Sequence, residues 1–309
     1  MTVRIATRAS DLALAQSRSV ARRIESALAV RTELVEIRTT GDRLTSIRLA
    51  SVGGKGLFVK ELEEALLDGR ADIAVHSAKD VPPELPAALA LAAFPDRADP
   101  RDALVCRVRG ATLATLPRGA RVATGSVRRT AQLRAARPDL EVVPIRGNVP
   151  TRLRKLEEQG LDALLLACAG LDRLGLSDRI DERVSPDVLL PAATQGVVAI
   201  EARVDDPLAR DLAALDDPDA ACAALAERAF LTGLQGDCDT PIAALTEPLG
   251  PDRIAVRGLV ATRDGSKIVR ERVEAETARA AAAGAELAAS VIARGGGEIL
   301  ATLRQGTGA

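Results

Sequence analysis

The chain has 309 residues, enough for two or three domains, and 47% of them are apolar, so a sizeable core is feasible. Three Phe, no Tyr and no Trp leave the interior to Leu, Val, Ile and Ala, and remove the aromatic platforms on which single-stranded nucleic acid stacks. A formal net charge of −1 excludes a global basic footprint.

Residues 3–7 read as a strand, and an amphipathic helix over about 11–29 follows, with Asp11 near its start. Residues 33–38 alternate like a second strand. Residues 40–58 are polar and glycine-rich. A helix over 59–68 leads to a short apolar strand over 71–75. Alternating strands and helices predict a mainly parallel sheet covered on both faces. Residues 93–102 (AFPDRADPRD), rich in Pro and charge, read as a crossover into a second α/β unit. That unit has strands at 121–124, 141–145 and 163–167, each followed by a polar turn and a helix. Residues 185–196 contain two prolines and read as a return crossover, after which a strand over 197–201 rejoins the first sheet. A helix over 217–231, strands over 253–260 and 267–275, and an Ala-rich helix over 277–294 make a small α+β third domain. The expected domains are therefore 1–95 with 196–215, 100–190, and 217–309.

Four constellations could carry chemistry. His76, the only histidine, stands with Lys79 and Asp80 just past the 71–75 strand, where α/β proteins place ligands. Asp80 there could accept a hydrogen bond from a substrate N–H and stabilise a nearby cation, or could simply cap a helix. Arginines cluster at element starts: Arg8 with Ser10, Arg128 and Arg129 after Thr124 and Ser126, Arg146, Arg152, and Arg173. Basic residues at a helix start oppose its dipole, so Arg128-Arg129 points to an anion held there. Gly53-Gly54-Lys55-Gly56 lacks the spacing of a nucleotide phosphate loop and reads either as a lid touching an anion or as an ordinary flexible loop. Cys238 sits in the loop Gly236-Asp237-Cys238-Asp239-Thr240-Pro241. Flanking aspartates would raise its pKa and make it a poor standing nucleophile, which leaves a covalent attachment point or an incidental cysteine.

The basic residues are chosen unevenly. Only five of the 42 are lysines (Lys55, Lys60, Lys79, Lys155, Lys267), as a coding bias toward Arg would give. The four cysteines are widely spaced with no CxxC pair, so no zinc or redox site is expected. The chain starts directly on a strand, and no apolar run approaches the roughly 18 residues of a membrane span. A cytoplasmic protein with free thiols, binding neither membrane nor nucleic acid, is expected.

Taken together, Arg4-Ile-Ala-Thr-Arg8-Ala-Ser10, Gly53-Gly-Lys55-Gly-Leu-Phe58, Val75-His-Ser-Ala-Lys79-Asp80-Val-Pro82, Thr124-Gly-Ser126-Val-Arg128-Arg129, Arg146-Gly-Asn-Val-Pro-Thr-Arg152, Gly170-Leu-Asp-Arg173 and Thr194-Gln195-Gly196 resemble the porphobilinogen deaminase family, also called hydroxymethylbilane synthases. The resemblance implies two periplasmic-binding-protein-like lobes joined by two crossovers, plus a small C-terminal α+β domain. It implies a monomeric transferase of tetrapyrrole biosynthesis that joins four porphobilinogen molecules head to tail with loss of ammonia. Growth starts from a dipyrromethane cofactor held by a thioether, which maps onto Cys238. Asp80 becomes the catalytic carboxylate. Lys79, Arg8, Ser10, Thr124, Ser126, Arg128, Arg129, Arg146, Arg152, Arg173 and Gln195 bind cofactor or substrate, and Gly53, Gly54, Lys55, Gly56 and Phe58 form the lid. His76 is left as structural support. Two departures stand out: the family usually has Gly-Gly-Cys-Gln around the attachment cysteine, and often a lysine where this chain has Ser51. The competing reading is a non-catalytic two-lobed anion-binding protein. A weaker one is a relative that no longer loads its cofactor because of Asp237 and Asp239.

Overall fold

A computed structural model describes residues 1–39, 59–236 and 239–305. Two compact units emerge: Met1–Ala98 with Gly196–Ala221, and Asp99–Gln195 with Cys222–Ala309.

In the first unit, β1 (Thr2–Arg8) leads into α1 (Asp11–Leu28), β2 (Arg31–Ile37), α2 (Lys60–Leu67), β3 (Ile73–Ser77) and β4 (Leu89–Ala93). The Ser10 side chain caps α1 by accepting from Ala13 N at 3.4 Å, and Asp11 in the first turn complements the helix dipole. β3 begins and ends two residues later than the apolar pattern suggests. His76 and Ser77 are therefore strand residues, and Ala78–Asp80 follow as one 3-10 turn. The pleat of β3 sends Ile73 and Val75 into the core beneath α1, with Val20 and Ile24, and Ala74 into the core beneath α2, with Leu62 and Leu66.

The second unit repeats this plan. β5 (Asp102–Cys106), β6 (Arg121–Ala123), α3 (Val127–Ala136), β7 (Glu141–Val143), α4 (Val149–Glu158), β8 (Ala163–Ala167), α5 (Cys168–Arg173) and β9 (Glu182–Val184) form a sheet of order β7-β6-β8-β5-β9. The chain then supplies β10 (Val198–Arg203), which completes a first sheet of order β2-β1-β3-β10-β4. In each sheet three parallel strands meet one antiparallel strand, β10 against β3 and β5 against β8. That antiparallel strand is the one a crossover delivers. Gly196 has φ +91°, and a Cβ there would lie 2.2 Å from the Ala98 carbonyl oxygen, so only glycine fits where the two crossover segments touch.

After α6 (Pro207–Leu212), the boundary between the units falls inside α7 (Pro218–Leu234). The C-terminal part is an antiparallel sheet of β11 (Ile242–Gly250), β12 (Arg253–Ala261) and β13 (Ile268–Glu276), followed by α8 (Ala280–Val291) and α9 (Gly297–Gln305). Its core gathers Phe230, Leu234, Val256, Leu287 and Val291. The fold is thus the expected α/β class with a small α+β part. β4, β5, β9 and β11 are additions to the elements read from sequence.

Candidate functional site

In the first unit, β1, β3 and the start of α1 converge on a narrow cleft of about 50 Å³, lined by Arg8, Ser10, Gln16, His76, Ser77 and Asp80 among others. That is room for one carboxylate arm or one or two waters. Asp80 is half-buried on the 3-10 turn, and Leu12, Ala13, Val59 and Val75 share the cleft wall with it. Gln16 Nε2 donates to Ser77 Oγ at 2.9 Å, tying α1 to the end of β3. Ser10, expected as a ligand contact, also serves as the α1 cap. His76 is buried, with Nε2 2.9 Å from Glu201 Oε2 on β10. A larger open groove of about 570 Å³, between α1 and residues 214–216, contains none of the expected residues.

The second unit holds the arginine cluster. Ser126 caps α3 by accepting from Arg129 N at 3.4 Å, and Thr124 Oγ1 accepts from Ser126 N at 3.2 Å. The anion that Arg128-Arg129 calls for is partly supplied within the chain. Arg128 Nη1 donates to Asp102 Oδ2 at 2.7 Å, and Arg129 Nη2 donates to Asp102 Oδ1 at 2.7 Å. The same two guanidinium groups donate to the Leu190 and Leu165 carbonyls, and Gln195 Nε2 donates to Asp102 Oδ1 at 2.9 Å. Full burial pushes the Asp102 carboxyl up, but Arg128 and Arg129 outweigh it and hold it well below the usual carboxylate range. Arg146 precedes α4, its carbonyl accepting from Lys155 Nζ at 3.0 Å. Arg152 in α4 donates from Nε to Gly147 O at 2.6 Å, and Arg173 closes α5. Gly53, Gly54, Lys55, Gly56, Phe58 and Cys238 lie outside the described residues, so the expected lid and attachment point do too.

The family model described as "Porphobilinogen deaminase, dipyromethane cofactor binding domain" matches residues 3–211. A second, "Porphobilinogen deaminase, C-terminal domain", matches residues 221–293. The porphobilinogen deaminase of Syntrophotalea carbinolica is 50% identical over 97% of this chain and 96% of its own. That of Roseiflexus sp. is 51% identical over 97% and 99%, and that of Geobacter metallireducens is 47% identical over 98% and 95%. The chain belongs to the porphobilinogen deaminase family. Among solved structures, a periplasmic substrate-binding protein of an ABC transporter from Coxiella burnetii aligns over 73% of this chain and 96% of its own, at 15% identity and a TM-score of 0.45.

The family's cofactor carries carboxylates, and the residues present fit such a group. Two guanidinium groups against one carboxylate leave one positive charge in excess at the start of α3. Arg128 Nε is buried with no hydrogen-bond partner among the described residues. Asp102, Gln16 and Glu201 are the functional neighbours that motif reading passed over. Only Asp102 left a trace in the sequence, as the sole carboxylate opening an otherwise apolar strand, Ala103-Leu-Val-Cys106.

Proposed function

We propose that this chain joins four porphobilinogen molecules head to tail, releasing ammonia at each addition, and frees the linear product hydroxymethylbilane by hydrolysis. The observation that carries this reading is about 50% identity to porphobilinogen deaminases over nearly the whole of both chains. The cluster chemistry agrees with it. Each pyrrole bears two carboxylates, and bidentate arginines suit carboxylates better than lysines do.

The residue roles are those that the family resemblance implies. Asp80 accepts hydrogen bonds from pyrrole N–H groups and stabilises the cation left when ammonia departs. Lys79 and Arg8 hold substrate carboxylates. Arg128, Arg129, Arg146, Arg152 and Arg173, with Ser10, Thr124, Ser126 and Gln195, hold cofactor and growing product. When bound, the dipyrromethane supplies the pyrrole carbon to which the first substrate is added. Cys238 is the attachment residue. Asp237 and Asp239 disfavour its thiolate and slow loading. Gly53, Gly54, Lys55, Gly56 and Phe58 close over the substrate. The chain works as a monomer of three domains (1–95 with 196–215, 100–190, 217–309). Its free Cys106, Cys168 and Cys222 suit a reducing cytoplasm.

Intact-mass spectrometry tests the reading. The purified protein is expected to exceed its polypeptide mass by one dipyrromethane, the Cys238→Ala variant is expected to weigh the polypeptide alone, and the wild type is expected to consume porphobilinogen. An unmodified wild-type mass together with no consumption sinks the proposal.

A further inference from the structure

His76, one of the residues lining the cleft that contains Asp80, belongs to a buried titratable pair to which no role has been given. Glu201 lies on β10 opposite Ala74 of β3, and His76 lies opposite Ala199, so the two side chains meet diagonally on the α2 face of the sheet. Their side chains are 0% and 3% exposed, with His76 Nε2 2.9 Å from Glu201 Oε2. The other oxygen, Glu201 Oε1, is buried with no partner among the described residues. Arg203, two residues along β10, cannot supply one. Its guanidinium donates to the Leu66 and Ala71 carbonyls and to Asp206 Oδ2. From α2 the facing charge is another carboxyl, Glu63, pushed above its ordinary value by burial first and then by the Glu201 charge. The cleft side is faced by Arg8 and Asp80.

An uncompensated carboxylate at such a position is costly, and one proton held by the pair would offset that cost. Two arrangements satisfy this: an imidazolium beside a carboxylate, or a neutral imidazole accepting from a protonated Glu201. In both, Nε2 is occupied by Glu201 and Nδ1 bears the hydrogen. The hydrogen bond to Glu201 is the one the His76 ring makes among the described residues, and His76 is one of the residues lining the cleft with Asp80.

We propose that His76 and Glu201 form a proton-carrying pair serving the Asp80 cleft, which gives a proton to departing ammonia and takes one back from the pyrrole carbon that replaces it. This rests on the reaction proposed above. The C–N bond of the substrate breaks with its electron pair on nitrogen, and the Nδ1 proton converts ammonia to ammonium. The pair is left with one negative charge, which together with Asp80 faces the substrate cation. A C–C bond then forms from the attacking pyrrole carbon. The C–H bond of that carbon breaks, its electrons restore the aromatic ring, and its proton returns to Nδ1. One proton leaves and one enters at each addition, so no further reactant is required. Neutralising ammonia in place also opposes its re-addition to the cation.

Because the chain has a single histidine, the pair can be observed without assignment. Full-length protein without a histidine tag, labelled with 15N-histidine, is expected to give one imidazole whose Nδ1 is protonated at pH 7. A bare Nδ1 with hydrogen on Nε2 overturns the proposal. The His76→Gln variant is expected to bind porphobilinogen while its turnover falls about 100-fold or more. Near-normal turnover by His76→Gln also overturns the proposal. Failure of the wild type to consume porphobilinogen overturns instead the activity proposed above, and the nitrogen spectrum still decides the state of the pair.

Discussion

Asp102 is bonded by two guanidinium groups, Arg128 and Arg129, and by the Gln195 amide, and none of its surface reaches solvent. Removing its charge strands two buried cations, so Asp102→Asn is expected to cost about 3–5 kcal/mol in urea unfolding. The sign with pH follows from its lowered folded pKa. The stabilisation is complete above the ordinary carboxylate value near 4 and is lost progressively as pH falls from there toward the folded value. The gap between wild type and variant should therefore be constant from pH 5 to 8 and narrow below pH 4. At Asp80 the expected effect is on turnover. Asp80→Asn keeps shape and loses charge, and is expected to retain substrate binding while turnover falls about 100- to 1000-fold. Near-normal single-turnover consumption would show that the charge is not needed. The positions of Lys79 and Asp80 past a strand end, and of Arg128 and Arg129 at a helix start, were legible because such boundaries announce themselves in sequence. The partners of His76 and Arg128 were not, because they lie 125 and 26 residues away and a buried carboxylate is written like any other.

At the scale of elements, β12 and α7 depend on one aromatic side chain. Phe230 is fully buried, and the absence of a side chain at Gly258 makes its place, since a Cβ there would lie 2.6 Å from Phe230 Cζ. Phe230→Ala is expected to cost about 3–5 kcal/mol, read as a lowered urea midpoint with little change in slope. Long periodic segments such as α1 were readable to within a residue. β11 was missed because its apolar run Ile242-Ala-Ala-Leu245 breaks into Thr-Glu-Pro-Leu-Gly, and a short apolar run does not declare its period. β4 and β5 were hidden on either side of a proline-rich stretch that reads as connection. Their strand character comes from the sheets they join, β4 beside β10 and β5 between β8 and β9.

At the scale of the whole molecule, the shared strand order of the two sheets conceals a difference in how continuous they are. The second sheet draws all five strands from one stretch, Asp102 to Val184. The first sheet lacks its antiparallel strand until Val198–Arg203 has been made, although its first strand begins at Thr2. Until then β3 and β4 have no common neighbour, and the buried oxygen of Glu201 and the ring of His76 have not met. Synthesis from the amino end therefore delivers a finished second sheet before a finished first one. The half of the protein that emerges first, including the Asp80 cleft, is the half that must wait to close, with its central edge exposed in the meantime.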